Sequence, residues 1–393
     1  MPKVKLLMPA DSTFLSSVIY EGLLYLIHKD HAQRFDLREI DFKPNFLSKA
    51  YSELEYEKIE NVRIAMAGND NLNSKLFEKL GSNLKSRKTF YDLIKMLKDN
   101  SGIIREKELV ELQFRIFGKD NLLDLKRKSE GIAAPQLFKI DRYTGFSSLE
   151  TPYTSKQLTF YISPEVALIS LLGIYSSFIL NVRQQDQNYN YFLFFSPDEV
   201  LKLLVEGSKD LVDRYFKLKK IATDELRKII EKYPLNELMA IELATNLEIR
   251  RLMDSENLDK FSLFLFKIAP EGQTYKIYET IPLEIYESIS FYEIAGKYFK
   301  DADKFIENLS DALSPDKILM EALSSLNKRN RYSEAENVLS AVQSLYRFVM
   351  LGDAQGFFGF LRGLEEARRK LENSKDKRET HRAGRYRRIL ARF

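Results

Sequence analysis

The sequence predicts an α+β protein: an N-terminal α/β layer, a mixed middle region with β-hairpins and a C-terminal antiparallel helical bundle. Three observations carry this. Short apolar runs alternate with helix-period stripes through the first third of the chain. Phe261–Ile268 and Thr274–Ile281, joined by Ala269-Pro270-Glu271-Gly272-Gln273, form the clearest hairpin pattern. The last third carries successive amphipathic stripes broken at Gly352-Asp353. The expected regions are 1–135, 136–283, 284–373 and a basic tail over 374–393.

Lys3–Met8 reads as a strand. After it, Phe14, Leu15, Val18, Ile19, Leu23, Leu26 and Ile27 recur at helical spacing. Phe35–Phe42 alternates apolar and polar residues, the pattern of a half-buried strand. Val62–Ala67 reads as another strand, closed by the turn cluster Gly68-Asn69-Asp70-Asn71. Helices are expected near Thr89–Lys98 and Lys107–Phe117.

In the middle, Gln136–Tyr143, Lys156–Ser163 and Asn190–Ser196 read as strands. Thr144–Ser155, between the first two, is then a hydroxyl-rich loop. It lacks a nearby base, and its length suits a binding segment. Ser163-Pro164, Ser196-Pro197 and Ser314-Pro315 mark helix starts: Ser caps free N–H groups, and Pro fits the first helical position. Glu199 would complete a capping box at Ser196. Val166–Val182 is the most apolar segment. Its interrupting serines and glycine make it a core helix rather than a membrane span. The C-terminal stripes are Ile318 to Leu326, then Ala335, Val338, Leu339, Val342, Leu345, Tyr346 and Val349, then Phe357, Phe360, Leu361, Leu364, Ala367 and Leu371.

Composition narrows the chemistry. With 44% hydrophobic and 30% charged residues, the chain belongs with ordinary globular proteins. It has no cysteine, which excludes disulfides, a Cys-ligated zinc and a thiol nucleophile. Met1-Pro2-Lys3 leads into a short apolar run without a small-residue cleavage site, so a cytoplasmic location is expected. Abundant Lys, Glu, Ile and Tyr suggest a thermophile.

No enzyme signal emerges. There is no G-x-S-x-G, no P-loop and no G-x-G-x-x-G after a strand. His28 and His31 share a helical face but lack a visible third metal ligand, so they read as solvated histidines. Neither metal nor cofactor is expected.

Cationic clusters remain: Lys85, Arg87 and Lys88; Lys126, Arg127 and Lys128; Lys217 to Lys220; Lys328 to Arg331. Lys375–Phe393 is the richest, with eight basic residues against two acidic ones. Its Arg382, Arg385, Arg387, Arg388 and Arg392 can grip phosphates, while Tyr386 and Phe393 can stack on bases. Arg142, Tyr143 and Lys156, at the ends of the hydroxyl-rich loop, are placed to present side chains to DNA.

The segment Asp141–Leu204, through "DRYTGFSSLETPYTSKQLTFYISPEVALISLLGIYSSF" and "NYNYFLFFSPDEVLKLL", resembles the large subunit of archaeal type I-A CRISPR surveillance (Cascade) complexes, an antiviral defence machinery. The resemblance implies a non-catalytic DNA- and RNA-binding subunit. Its partners would be guide RNA, target DNA, other Cascade subunits and a helicase–nuclease, and it would help recognise the motif adjacent to the target. The zinc site of some related large subunits cannot exist here in Cys form. Two other readings stay open: a nucleotide-sensing α/β module coupled to a helical domain, and an interaction protein binding an acidic partner.

Overall fold

In a computed structural model, residues 1–81, 89–117, 120–141, 159–184, 187–255, 258, 260–286, 295–314, 317–326, 328–329, 331–374 and 376–393 are described. The protein is α+β, with several small sheets and a helical C-terminal region. It comprises two compact units. One is Met1–Phe216 with Ser262–Pro282, and the other is Lys217–Phe261 with Leu283–Phe393.

In the first unit, β1 (Lys3–Lys5) pairs antiparallel with β3 (Glu39–Phe42) and parallel with β4 (Leu109–Glu111). Strand β2 (Ala32–Phe35) completes the sheet in the order β2-β3-β1-β4. The single strand expected over Phe35–Phe42 is thus two strands. Between them Asp36 accepts hydrogen bonds from the Arg38 and Glu39 amides and turns the chain.

Helix α1 (Phe14–His28) is capped by Thr13, whose hydroxyl accepts from the Ser16 amide. Every residue from Phe14 to Ile27 is buried, so the helix has no solvent face. It packs on α6 (Pro164–Ser177), which Ser163 caps with Pro164 in its first turn. A Cβ on Gly22 would stand 2.0 Å from the Ile169 carbonyl oxygen, and one on Gly173 would stand 1.9 Å from that of Val18. The two backbones touch there. Ser170 and Ser177 donate to the Val166 and Gly173 carbonyls four residues back, so their hydroxyls are satisfied inside the core. Among the described residues no helix is long and apolar enough to cross a membrane.

Between these helices in sequence lie α2 (Phe46–Ser52), α3 (Tyr56–Asn61), α4 (Asp70–Lys79) and α5 (Phe90–Asp99). Asn69 caps α4, and Thr89 forms a full capping box with Asp92 on α5. Among the described residues, the strand expected over Val62–Ala67 contributes a bridge between Ala65 and Thr89. The helix expected over Lys107–Phe117 is instead β4 and β5 (Phe114–Phe117). Val110 and Leu112 are buried while Leu109 is exposed, a period of two. Strand β5 belongs to a sheet of order β5-β6-β8-β7, with β6 (Asp120–Leu123), β7 (Ile132–Ala133) and β8 (Thr159–Ile162). Gln136–Lys139, expected as a strand, is a single 3-10 turn with Leu137 and Phe138 buried. The carboxylate of Asp141 then accepts from the Phe14 and Leu15 amides, 2.9 and 3.1 Å away, at the start of α1.

The expected hairpin is present and longer than its apolar core: β11 (Lys260–Glu271) and β12 (Thr274–Tyr286) turn at Gly272, which has φ +62°. They extend a sheet of order β12-β11-β10-β9, with β9 (Phe178–Gln184) and β10 (Gln187–Phe195). Phe14 of α1 lies edge-on to Phe192, Phe194 and Phe266 of this sheet, at 5.3, 5.6 and 5.5 Å between ring centres. Ser196 caps α7 (Pro197–Glu206), but Glu199 does not close a capping box. Its carboxylate accepts from the Ser262 amide, 2.9 Å away, while the Ser196 amide donates to the Ser262 carbonyl. The strand pairing is prolonged into the helix cap.

The second unit is built mainly of helices. Helix α8 (Lys209–Lys232) runs into it from the first unit. It is followed by α9 (Asn236–Thr245), α10 (Leu247–Ser255), α11 (Ala302–Leu313), α12 (Ile318–Ser325), α13 (Ala335–Leu351), α14 (Ala354–Glu372) and α15 (Lys377–Leu390). Ser314 closes α11 rather than opening α12, which starts after Lys317; Pro315 lies outside the described residues. Gly352, at φ +67°, ends α13, and Asp353 caps α14. Gly356 of α14 faces Ser344 of α13, and Gly363 faces Ala341 and Asn337, so the two helices run antiparallel. The glycines of α14, with Gly359 against Ser344 as well, therefore form a helix-packing face. The expected basic tail is helix α15, whose Ala383, Tyr386 and Ile389 are buried.

Candidate nucleic-acid interface

Helix α15 begins at Asp376, whose carboxylate accepts from the Arg378 amide. Two of its arginines fix the helix in place. Arg382 reaches Glu334 twice, at 2.6 and 2.9 Å, and Glu321 at 3.1 Å. Its guanidinium lies 3.7 Å over the Tyr332 ring. Arg385 grips Glu321 with both terminal nitrogens, at 2.7 and 2.9 Å. The Glu334 side chain is 1% exposed and that of Arg382 12%, so this pair is held away from water. The Arg385 guanidinium holds the Glu321 carboxyl below its ordinary range.

The aromatic residues of the same segment are also committed. Tyr386 is fully buried, and burial pushes its hydroxyl pKa up. The Phe393 ring lies 5.7, 5.8 and 6.0 Å from the rings of Phe305, Phe357 and Phe360. Neither is available to stack on a base. Arg392 pairs with Asp311.

What remains outward is cationic. Lys377, Arg378, Arg387 and Arg388 are exposed, and none makes an ion pair among the described residues. Beside the start of α15 stands the loop after α12, anchored by a Ser333 hydroxyl donating to Glu379 at 3.1 Å and by the Tyr332–Arg382 stack. It presents Lys328, Arg329 and Arg331, all exposed. From Arg378 to Arg388 the helix advances about 15 Å at 1.5 Å per residue, enough to follow several phosphates of a strand.

Among the remaining sequence candidates, Lys126 and Arg127 are exposed in the first unit, between β6 and β7. Lys128 lies 4.7 Å over Tyr161 and 3.4 Å from Asp120. Lys85, Arg87, Lys88, Arg142, Tyr143 and Lys156 lie outside the described residues, as does the loop Thr144–Ser155. Lys377 and Arg378 were not singled out from the sequence as candidate contacts. Only the absence of a carboxylate partner distinguishes them, and that is a tertiary fact.

The two histidines expected to be solvated are packed and paired instead, because the chain folds back over the end of α1. His28 Nδ1 lies 2.8 Å from Asp213, and its ring stacks on Phe216 at 4.5 Å. His31 is buried and reaches Glu53 at 3.2 Å. Burial lowers the pKa of both rings. Among the described residues no three metal-ligating side chains converge. The fold does join two acids that the sequence could not pair: half-buried Asp124 and buried Glu165, with Lys107 at 4.0 and 3.1 Å. Burial raises the Asp124 carboxyl pKa. Lys107 bridges the two from the surface, its side chain half exposed.

The chain matches no protein-family model and no solved structure. An uncharacterized protein of Archaeoglobus fulgidus is 54% identical over 391 residues, covering 99% of each chain. The chain belongs to one family with that archaeal protein.

Proposed function

We propose that the protein is a non-catalytic, nucleic-acid-binding large subunit of a CRISPR-associated, RNA-guided DNA surveillance complex. In this reading base pairing between guide RNA and target DNA reads the sequence. The protein supplies cationic surface, contributes to recognition of the adjacent motif and helps recruit a helicase–nuclease. The supporting observation is the set of exposed cations on α15 and the neighbouring loop that make no ion pair among the described residues, on a helix held in position by the buried Arg382–Glu334 pair. A surface charge that served only solubility would not need such fixing.

The test is binding of labelled duplex DNA, single-stranded DNA and RNA by the full chain, alone and with its partner subunits, across a salt series. Log affinity is expected to fall by about 0.9 per phosphate contact per log unit of salt. The triple variant Lys328→Glu, Arg378→Glu, Arg387→Glu should weaken binding at least about tenfold and flatten the salt slope, with an unchanged melting temperature. Indifference to every nucleic acid at low salt, with partners present, overturns the reading.

A further inference from the structure

A second feature of α15 shares only Arg388 with its outward cations. An open cleft of about 330 Å³ lies in the second unit between the end of α11, the start of α12 and α15. Four cations line it: Lys317, Arg385, Arg388 and Arg392. The three arginines stand at spacings of three and four, on one helical face. Asp311 is the acidic residue in the wall, and it is already engaged by Lys317 at 3.3 Å and by Arg392. These partners hold its carboxyl below the ordinary range, so it stays ionised at neutral pH. Glu321 neutralises Arg385 from outside the cleft. Two of the four positive charges are thus matched among the described residues, and two are not. Arg388 makes no ion pair or hydrogen bond among those residues.

We infer that this cleft binds a phosphomonoester dianion. A phosphomonoester carries a charge of about −1.5 to −2 at neutral pH, which matches the two unbalanced cations; a backbone phosphodiester would match one. Arginine forks converging from one helix, with a lysine opposite, suit the tetrahedral oxygens of a phosphate group. The volume exceeds what one phosphate fills, leaving room for the attached group. The same chemistry arises at the phosphorylated end of a nucleic-acid strand or in a free phosphorylated small molecule. The inference does not depend on strand binding, because Lys328, Arg378 and Arg387 do not line the cleft.

The experiment uses the full chain with four probes: inorganic phosphate, a nucleoside 5′-monophosphate, and one oligonucleotide with either a 5′-phosphate or a 5′-hydroxyl. Binding is read by calorimetry and thermal shift. Inorganic phosphate and the monophosphate should bind and raise the melting temperature. Arg388→Gln should weaken both at least about tenfold, while Arg362→Gln, on an exposed arginine of α14 outside the cleft, should leave them unchanged. Lys317→Gln provides a second, independent loss. An oligonucleotide that binds tenfold tighter with its 5′-phosphate, in an Arg388-dependent way, assigns the ligand to a strand end. Equal binding of the two ends, with phosphate and monophosphate still Arg388-dependent, assigns it to a small molecule. The inference is overturned if no phosphate probe binds at millimolar concentration, or if Arg362→Gln and Arg388→Gln weaken binding equally. Nucleic-acid binding lost in the Lys328/Arg378/Arg387 triple variant, with phosphate binding kept, would separate the two sites.

Discussion

Helices α1 and α6 of the first unit and helix α15 of the second invert what their compositions suggest. The apolar pair carries glycines and serines that weaken an isolated helix, yet it forms a buried core whose backbones touch at Gly22 and Gly173. The charged segment at the C-terminus has the composition of a solvated tail, yet it is a docked helix with Tyr386 in the core. The difference lies in what holds each one. The α1–α6 contact depends on removing side-chain volume, whereas α15 depends on supplying the right counter-charge. Arginine accordingly does two jobs along one helix. Arg382 and Arg385 are structural because Glu334 and Glu321 meet them, while Arg378 and Arg387 face solvent because nothing does.

The sharpest way to break this comparison is steric. Gly173→Val puts branched carbons where even a Cβ would lie 1.9 Å from a backbone oxygen. Backbone cannot swing aside as a side chain can, so a loss above about 3 kcal/mol is expected, or no folded protein at all. Denaturant melts would show it. The corresponding change on α15, Gly384→Val, meets open space and should cost no more than a few tenths of a kcal/mol beyond helix propensity.

Next in size is the buried ion pair. Glu334→Ala removes the buried partner of Arg382 and leaves it only Glu321, and should destabilise the second unit by about 3 kcal/mol. Arg387→Ala, exposed on the same helix, should stay within about 0.5 kcal/mol. If both cost the same, the division between structural and outward arginines fails.

The smallest effect is a pH dependence. Arg385 depresses the folded pKa of Glu321 below its ordinary 4.5. The carboxylate therefore stabilises the fold fully above about pH 4.5, and this contribution is lost as pH falls through the lower folded value. Hydrogen exchange of α15 amides should rise on acidification in that window. Glu321→Gln should remove most of the rise, while the amides of α6 show no matching change. The counter-example is Glu242 of α9, whose carboxyl burial pushes up to about 8, with Glu225 nearby. It opposes folding as pH rises from about 4.5 through 8, so Glu242→Gln should raise the melting temperature at pH 8 and leave it unchanged at pH 4.

Much of the architecture is legible in contiguous residues. The caps at Ser163, Ser196, Thr89 and Asp353, the stop at Gly352 and the β11–β12 hairpin all follow from neighbours in sequence. Sequence pattern and structure part where two periods compete over a short run. Lys107–Phe117 contains enough apolar residues for a helical stripe, but Val110 and Leu112 alternate into a sheet. At Phe35–Phe42 a side-chain turn at Asp36 splits an apparently continuous alternation. Of the candidate site, the richness of arginine was legible, but the division of labour among its members was not.

The sequence by itself determined the α+β class, the helix starts at Ser163 and Ser196, the break at Gly352-Asp353, the absence of thiol chemistry and the concentration of positive charge at the C-terminus. These depend on local propensity, spacing and residue type. Only the tertiary structure decided that Arg382 meets Glu334, 48 residues away, that Asp141 caps a helix 127 residues earlier, and that four cations converge on one cleft. Such choices are made by electrostatics and packing between distant segments, where burial strengthens a charge pair and leaves an unmatched charge free to act.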